Sequence, residues 1–264
     1  MARIAYGLPY MGSKNRFCKE IFNILPTGKR FVDLFGGGAS MIHYAVNHKL
    51  YQSYLYNDID YMTYKYIFDC LMCKKSIEDI YKPVSLAEFK YMRDREPFIK
   101  YIWSFGYNGR NYFCSKDKEK EKLEQFENYK NGINTADNRG RIAEVITRIN
   151  RYLQFQKDLM YTNIKMANKS YRYYEYEEGD VVYCDIPYKN TKDYCISKFN
   201  HEQFYEWALS KDYQLFFSEY DAPLDFYKQE VRTTRCFYSS TNNAQQITEY
   251  IFSNKEIKNN AIPE

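Results

Sequence analysis

The stretch from Phe31 to Ser40 constrains the fold more than any other part of the chain. It has an apolar start, the acid Asp33 and three successive glycines, Gly36 to Gly38, and a helix is predicted after it over Ser40 to Asn47. Strand, tight turn and helix in this order form the first unit of nucleotide-binding α/β folds, because glycines let the backbone approach a ligand closely. An ordinary βα loop remains an alternative reading of this segment taken alone.

A second acid follows about twenty residues later, at a spacing typical of ribose recognition. The segment Tyr54 to Asn57 predicts a short strand, and Asp58 comes directly after it. An acid placed there can accept hydrogen bonds from ribose hydroxyls. The two segments together indicate a nucleotide-like ligand much more strongly than either does alone.

The tetrapeptide Asp185-Ile186-Pro187-Tyr188 follows the apolar run Val181 to Cys184, which predicts a buried strand of a parallel sheet. Ligands of open α/β sheets bind at the carboxyl ends of the strands. Asp185 and the Ile186 carbonyl can each accept one N–H of an exocyclic amine, and the Tyr188 ring can stack on a flat base. The alternative is a strand that ends in a turn, since Asp and Pro are common turn residues.

The N-terminal segment Leu8 to Lys14 contains an aromatic residue, a glycine and a lysine ahead of the first strand. Its Gly-Ser-Lys turn lacks the spacing of a phosphate-binding P-loop. Its composition instead suits a lid over a small cofactor.

In this order, the motifs resemble those of the Dam-type DNA adenine-N6 methyltransferases, the D12 class, and most closely their phage-encoded members. The resemblance extends from about Tyr6 to about Tyr250, and three further loops share it: Ser104 to Gly109, Asn200 to Phe204 and Phe217 to Tyr220. It implies an α/β fold, with a Rossmann-like S-adenosylmethionine-dependent methyltransferase sheet and a mainly helical recognition insert. The catalytic residues that it implies are Asp185, Ile186, Pro187 and Tyr188, and the cofactor-binding residues are Tyr10, Lys14, Asp33, Phe35, Gly37, Asp58 and Asp185.

Two residues depart from the family's motifs. Ala39 stands where the last glycine of the F-x-G-x-G motif is usual, and Ile186 replaces the first proline of Asp-Pro-Pro-Tyr. Isoleucine keeps the backbone carbonyl that would bind the amine and loses only the fixed φ of proline, a rigidity effect of ~1 kcal/mol. We therefore expect activity to survive both changes.

The same resemblance divides the chain into a catalytic domain over 1–73 and 156–264 and a recognition insert over 74–155. The insert carries 17 Lys and Arg against 12 Asp and Glu, so the net charge of +4 for the whole chain resides there. Arg139 and Arg141 lie in the predicted turn Asn138 to Arg141, and arginine suits both phosphates and guanine edges. With Arg110, they are the predicted DNA contacts, and a helix start with exposed arginines is the alternative.

The rest of the composition excludes several classes of protein. No run of 18 apolar residues exists, and the first residues lack an apolar signal region, so we expect no membrane span and a cytoplasmic protein in a bacterial cell. Seven cysteines without a framework spacing predict buried, reduced thiols, Cys70 and Cys73 among them, rather than a zinc site.

Together with the resemblance, these groups predict methyl transfer from S-adenosylmethionine to N6 of an adenine flipped out of double-stranded DNA, with no metal and no obligatory protein partner. Three alternatives remain open. The first is an N4-cytosine methyltransferase, whose tetrapeptide more often begins with Ser. The second is a DNA-binding relative that has lost catalysis, and the third is an RNA adenine methyltransferase.

Overall fold

A seven-stranded mixed sheet organises the part of the chain that the computed structural model describes, which is residues 5–132, 140–189, 199–237 and 244–258, without the side chains of 234–237 and 244–247. The spatial order of the strands is β3-β2-β1-β4-β5-β7-β6. β1 to β5 run parallel, whereas β7 is antiparallel to both β5 and β6. The strands are β1 (Arg30–Asp33), β2 (Ser53–Asn57), β3 (Ile164–Ala167), β4 (Asp180–Cys184), β5 (Leu215–Glu219), β6 (Tyr227–Phe237) and β7 (Ala244–Ser253).

Nine α-helices accompany these strands in the described part of the chain. They are α1 (Cys18–Phe22), α2 (Ser40–Asn47), α3 (Tyr61–Leu71), α4 (Ile77–Ile80), α5 (Leu86–Met92), α6 (Pro97–Ile102), α7 (Glu119–Lys130), α8 (Arg141–Leu159) and α9 (His201–Leu209). The predicted α/β class is confirmed, and the sheet is consistent with a Rossmann-like methyltransferase fold.

The chain forms two compact units. A helical unit comprises Met1–Ser13, Gly37–His43 and Tyr61–Thr162, and a sheet unit comprises Lys14–Gly36, Tyr44–Asp60 and Asn163–Glu264. The predicted insert, residues 74–155, belongs entirely to the helical unit. Its predicted end at residue 155 falls inside α8, which continues to Leu159.

Both faces of the sheet are covered within the sheet unit, which explains why its central strands are apolar throughout. Successive residues of β1 point to opposite faces. Phe31 packs against Phe22 of α1, with ring centroids 5.1 Å apart. Val32 belongs instead to the core beneath α9, where Phe204 and Phe217 meet edge-on.

The sequence predicts that Asn200 caps a helix, with Gln203 in the capping-box position, and the cap is confirmed at the start of α9. Asn200 caps the helix by accepting a hydrogen bond from the Gln203 N–H at 3.0 Å. In a capping box the Gln203 side chain would in turn accept the Asn200 N–H. Here the Gln203 side-chain oxygen instead accepts a hydrogen bond from the Arg172 guanidinium. The segments near 231–238 and 249–252 also predict two strands of a terminal hairpin, and the antiparallel pairing of β6 with β7 confirms this prediction.

In the helical unit, aromatic rings pack α3, α6 and α8 together. Tyr66 lies 4.9 Å from Tyr101 and 6.0 Å from Tyr152, measured between ring centroids. The spacing of apolar residues in α8 predicts a buried stripe of Ile142, Val145, Ile146, Ile149 and Leu153. This stripe needs one correction, because Tyr152 is fully buried whereas Leu153 is only half-buried.

Two arginines of α8 lie off its predicted stripe, yet both have structural partners. Arg148 is buried and donates hydrogen bonds to the carbonyls of Ile102 and Ser104. Arg151 donates to the carbonyls of Tyr6 and Gly7. These hydrogen bonds tie α8 to two loops of its own unit.

Ala39, the residue that departs from the family's glycine, adopts a left-handed backbone with φ of 57°. An L-residue in this region costs about 1–2 kcal/mol, a cost that glycine does not have. The Ala39 side chain is buried in the helical unit, with an exposed fraction of 1%.

The five described cysteines are free thiols, and the prediction that they are buried holds for only some of them. Cys18, Cys70 and Cys184 are buried. Cys73 is exposed because it lies just beyond the last residue of α3, and Cys114 is half-buried. None of the helices formed by the described residues is long and apolar enough to span a membrane.

Candidate active site

Carboxylates collect where the parallel strands of the sheet unit end. β1 ends at Asp33, and Asp58 follows β2 directly. Asp185 follows β4, and β5 ends at Glu219. Since the carboxyl ends of neighbouring parallel strands share one edge of a sheet, these four acids lie along that edge.

Asp185 is held by a lysine from the N-terminal segment. The Nζ of Lys14, in a short 3-10 helix over Lys14–Arg16, lies 2.5 Å from Asp185 Oδ1 and 3.7 Å from Glu249 Oε1. Burial raises the pKa of Asp185 to about 6, although the charge of Lys14 opposes this rise. Asp185 is thus a hydrogen-bond acceptor that already holds a cationic N–H donor.

The ring of Tyr188 forms one wall beside this ion pair. The Lys14 Nζ lies 4.4 Å from the centroid of the ring, and Tyr220 meets the ring edge-on at 4.6 Å. The Tyr188 phenol donates a hydrogen bond to Glu249 Oε1. Burial, reinforced by the nearby charge of Asp185, raises the pKa of this phenol well above its usual value.

The backbone after Asp185 is fixed from two sides. His201 Nε2–H, in the first turn of α9, donates to the Pro187 carbonyl at 2.7 Å. Glu219 Oε2 accepts the Lys189 N–H at 3.1 Å. Ile186 has an exposed fraction of 2% and packs into the core of the sheet unit. The isoleucine that replaces the family's proline is therefore anchored by its side chain in this core.

Glu219 and His201 have shifted pKa values that reflect their surroundings. Burial raises the pKa of Glu219 to about 7, against the hydrogen bonds from Tyr220 and Lys189. Burial lowers the pKa of His201, so a neutral ring is favoured. Its position in the first turn of a helix predicts a structural role for His201, and the hydrogen bond to the Pro187 carbonyl locates this role at the tetrapeptide.

Asp33 is fully buried at the end of β1. Its Oδ1 has no hydrogen-bond partner among the described residues. Burial, together with the charge of Asp185, raises the pKa of Asp33 well above its usual value. A buried carboxylate oxygen without a partner costs free energy unless a donor or a cation reaches it.

Asp58 lies in a different environment at the end of β2. It is half-exposed, and its Oδ1 accepts the Asp60 N–H at 2.8 Å. The neighbouring Asn57 is buried and donates to the carbonyls of Leu34 and Lys169. These bonds fix the backbone from which the Asp58 carboxylate projects.

The glycine turn leaves no room for side chains. A Cβ added at Gly36 would lie 2.3 Å from the buried ring of Tyr56, and the Gly36 N–H donates to the Asn57 carbonyl at 2.8 Å. Phe35, the residue before it, is half-buried and packs 5.4 Å from Tyr171 between ring centroids.

Tyr10 and Gly37 belong to the helical unit, where they meet. Gly37 has φ of 47°, and a Cβ added to it would lie 3.1 Å from the Tyr10 ring. Tyr10 also packs against Tyr101 at 5.4 Å between ring centroids, and its hydroxyl lies 3.5 Å from Thr63 Oγ1. The predicted cofactor residues are therefore divided between the units, with Lys14, Asp33, Phe35, Asp58 and Asp185 in the sheet unit.

The predicted DNA-contacting arginines belong to the helical unit. Arg110 is exposed and follows the loop that contains the 3-10 helix Phe105–Tyr107. Arg141, at the start of α8, pairs with Glu144 at 3.1 Å and lies 4.4 Å from the centroid of the Phe105 ring. Arg139 lies outside the described residues.

Sequence reasoning missed Glu249 altogether and gave Glu219 no role beyond its loop. Glu219 carried a local signal, because it directly ends an apolar strand as the predicted acids do. Glu249 carried none, because it lies within β7, an antiparallel strand that is far away in sequence. The described residues contain no cluster of His, Cys, Asp and Glu that could hold a metal ion.

A family model described as D12 class N6 adenine-specific DNA methyltransferase matches residues 10–260. None of the curated proteins compared with the chain matches it.

Proposed function

The chain belongs to the D12 class N6 adenine-specific DNA methyltransferases, and from this premise we propose that Asp185 and its neighbours are the site of methyl transfer. Members of this class transfer a methyl group from S-adenosylmethionine to N6 of adenine in DNA. The proposal concerns which residues of this chain do so, and how.

One observation carries the assignment. The Asp185 carboxylate already accepts an N–H donor, the Lys14 ammonium, at 2.5 Å, and this donor lies 4.4 Å from the centroid of the Tyr188 ring. An exocyclic amine of a base stacked on Tyr188 would need the same two interactions, one acceptor and one aromatic face. The site therefore has the chemistry that an adenine N6 amine requires.

The proposed mechanism follows from the low nucleophilicity of adenine N6. The lone pair of adenine N6 is delocalised into the ring, so N6 is a poor nucleophile. Acceptance of its two hydrogens by Asp185 and the Ile186 carbonyl favours a more tetrahedral nitrogen, whose lone pair can attack the methyl group. Positioning supplies much of the rate enhancement. The adenine must leave the duplex to reach these groups, and stacking on Tyr188 replaces part of the stacking that it loses.

The product needs one proton removed. When N6 bonds to the methyl carbon, the bond from that carbon to sulfur breaks with its electrons, and N6 carries an extra proton. Asp185 is the carboxylate that holds this amine in the proposed complex. Its pKa of about 6 lets it take the proton from N6 and return it to water at neutral pH.

The charge of the sheet unit suits the cofactor. S-adenosylmethionine, which carries an electrophilic methyl group on a cationic sulfur and also bears an ammonium group, supplies the methyl when bound. Asp33 has a buried oxygen without a described partner, so a cation nearby would satisfy it. We propose that Lys14, Asp33, Phe35 and Asp58 of the sheet unit hold the cofactor. The cofactor roles predicted for Tyr10 and Gly37, which belong to the helical unit, stay predictions.

Substitution of Asp58 tests this cofactor assignment. We expect Asp58→Ala to weaken S-adenosylmethionine binding by ~1–3 kcal/mol, because the variant cannot form charge-assisted hydrogen bonds to the ribose. Asp58→Asn is the matched control for the turn, since it can still accept the Asp60 N–H. Calorimetry that gives wild-type affinity for both variants would refute a ribose contact.

We propose that residues 74–155 bind the DNA, because the positive charge of the chain concentrates there. Changing Arg110 and Arg141 together to alanine should weaken binding to mixed-sequence duplex DNA. For each phosphate that the variant no longer neutralises, the plot of log affinity against log salt should become flatter by about 0.9. Lys120→Ala, on the exposed face of α7, is the control for the loss of one positive charge. Equal slopes for the wild type, the double variant and Lys120→Ala would show that Arg110 and Arg141 do not contact the DNA.

The function itself is tested by the product. The purified protein should transfer labelled methyl groups from S-adenosylmethionine to mixed-sequence duplex DNA, and hydrolysis should yield N6-methyladenine. N4-methylcytosine as the product, faster transfer to RNA, or cofactor binding without turnover would each contradict the proposal and select one of the three alternatives.

Two finer expectations belong to this proposal. The likeness of three loops to those of phage-encoded members supports a phage origin of the gene. We further propose that the enzyme acts in the cytoplasm of a bacterial cell, where its DNA substrate is located.

A further inference from the structure

Glu249 reaches the tetrapeptide from an unexpected direction. It lies in β7, which runs antiparallel to β5, and the next residue, Tyr250, pairs with Glu219 at the end of β5. β7 therefore brings Glu249 just past the carboxyl edge of the parallel strands. Glu249 is buried there, with an exposed fraction of 7%.

Its carboxylate has two partners in the candidate site. Glu249 Oε1 accepts the Tyr188 phenol hydrogen, and the same oxygen lies 3.7 Å from Lys14 Nζ. Lys14 Nζ in turn lies 2.5 Å from Asp185 Oδ1. One buried carboxylate thus links the aromatic ring that would stack on the base with the lysine that holds the catalytic acid.

This arrangement raises a problem for the reaction, because Lys14 occupies the place that the amine needs. It lies against the Asp185 carboxylate and over the face of the Tyr188 ring. The Lys14 ammonium must move away from the Asp185 carboxylate, from the face of the Tyr188 ring, or from both. Only then can an adenine stack on the ring and donate its N6 hydrogen to Asp185. An ammonium that leaves one buried carboxylate needs another partner nearby, since an unpaired buried charge costs several kcal/mol.

We propose that Glu249 is a positioning residue for methyl transfer, which fixes the Tyr188 ring through its phenol and holds Lys14 when the adenine amine replaces the lysine at Asp185. The inference rests on the proposed function and deepens it. Lys14 needs to move by only about 1 Å to exchange one carboxylate for the other, the difference between 3.7 Å and a normal ion-pair distance.

Both roles have a physical basis. A tyrosine ring attached to the backbone at one end can still turn about its side-chain bonds, and a hydrogen bond at the phenol fixes the other end. Holding groups in a productive geometry before reaction is worth a large part of a catalytic barrier. Without the charge of Glu249, Lys14 loses its second ion-pair partner and stays paired with Asp185. It then competes more strongly with the adenine amine for the Asp185 carboxylate.

Four variants separate the two roles. Tyr188→Phe removes the phenol bond and keeps Glu249 for Lys14. Glu249→Gln keeps an acceptor for the phenol and removes the charge that holds Lys14. Glu249→Ala removes both, and the double variant Tyr188→Phe with Glu249→Ala completes a mutant cycle. Tyr183→Phe is the matched control, since the Tyr183 hydroxyl is also buried and shares its 2.6 Å hydrogen bond with Ser218 instead of Glu249.

The measurements are single-turnover methylation rate and apparent DNA affinity on mixed-sequence duplex DNA, cofactor affinity by calorimetry, and the unfolding midpoint. We expect Tyr188→Phe to lower the rate about tenfold with little change in DNA affinity. Glu249→Gln should mainly weaken the apparent affinity for DNA, because Lys14 then competes more strongly at Asp185. In the cycle, Tyr188→Phe should cost little further rate in the Glu249→Ala background, and Tyr183→Phe should leave the rate unchanged.

Three results would overturn the inference while leaving the proposed function standing. They are wild-type rate and affinity in Glu249→Gln and Tyr188→Phe, strictly additive losses in the cycle, or an equal rate loss in Tyr183→Phe. Tyr188→Phe and Glu249→Gln preserve side-chain volume and decide the matter if Glu249→Ala fails to fold. A wild-type protein that methylates no adenine would instead overturn the proposed function, and this inference with it.

Discussion

Methyl transfer is expected to fall by about 10²–10⁴-fold when Asp185 is replaced by alanine, the range of a positioned acid–base group. The carboxylate is placed at the end of β4 and is the side chain expected to accept an N6 hydrogen and then its proton. The measurement is a single-turnover rate with labelled cofactor, made beside a thermal unfolding curve that shows an intact fold. A variant that keeps a tenth of the wild-type rate would refute this role.

The pH dependence of the wild-type rate tests the same carboxylate. Burial raises the pKa of Asp185 to about 6, so the group is ionised above this pH and protonated below it. Only the ionised form accepts both the hydrogen bond and the proton, and the rate should therefore decline as the pH falls through about 6. Asp185→Asn should remove this limb together with most of the rate, and a residual rate with an unchanged limb would assign the limb to another group.

Replacing Gly36 with alanine is expected to disrupt the glycine turn. The added Cβ would lie 2.3 Å from the Tyr56 ring, which is fully buried and has no space to move. The backbone cannot shift instead without breaking the Gly36 hydrogen bond to the Asn57 carbonyl. Overpacking of this kind costs about 3 kcal/mol of unfolding free energy, and S-adenosylmethionine affinity should fall more than about tenfold with it.

The control for this variant is Gly140→Ala, because a Cβ at Gly140 meets no atom of the described, non-neighbouring residues within 4 Å. Chemical denaturation should give the control the unfolding free energy of the wild type, within about 0.5 kcal/mol. Calorimetry should likewise give it the wild-type cofactor affinity. If Gly36→Ala is as stable as the control and binds the cofactor as tightly, the turn is not constrained in the way described.

Much of the candidate site could be predicted because its residues occupy the ends of short apolar strands. Asp33, Asp58 and Asp185 each end or follow such a run, and the parallel strands bring the three acids to one edge. This rule needs only the local sequence and the geometry of a parallel sheet. The sequence therefore predicts the positions of these acids in the sheet, but not the residues that they contact.

The partners depended on elements far apart in the sequence. Lys14 was assigned to the cofactor by resemblance, and the fold places it against Asp185. Arg148 and Arg151 lie off the apolar stripe of α8, yet they bind carbonyls of neighbouring loops rather than project into solvent. Periodicity identifies which face of a helix is apolar, and it does not tell which carbonyls a long polar side chain will reach.

The sequence by itself determined the glycine turn and the acids at the strand ends, because each is specified by a few adjacent residues. It also determined the α/β class and the family, because the order of these local motifs along the chain is visible in the sequence. Tertiary structure alone decided that Glu249 joins the site, that His201 holds the Pro187 carbonyl and that Asp185 is paired with Lys14. These pairs join residues that are distant in the chain, and their existence depends on strand order and on the antiparallel direction of β7. Local patterns specify elements, whereas the pairing of buried charges is specified only when the elements have packed.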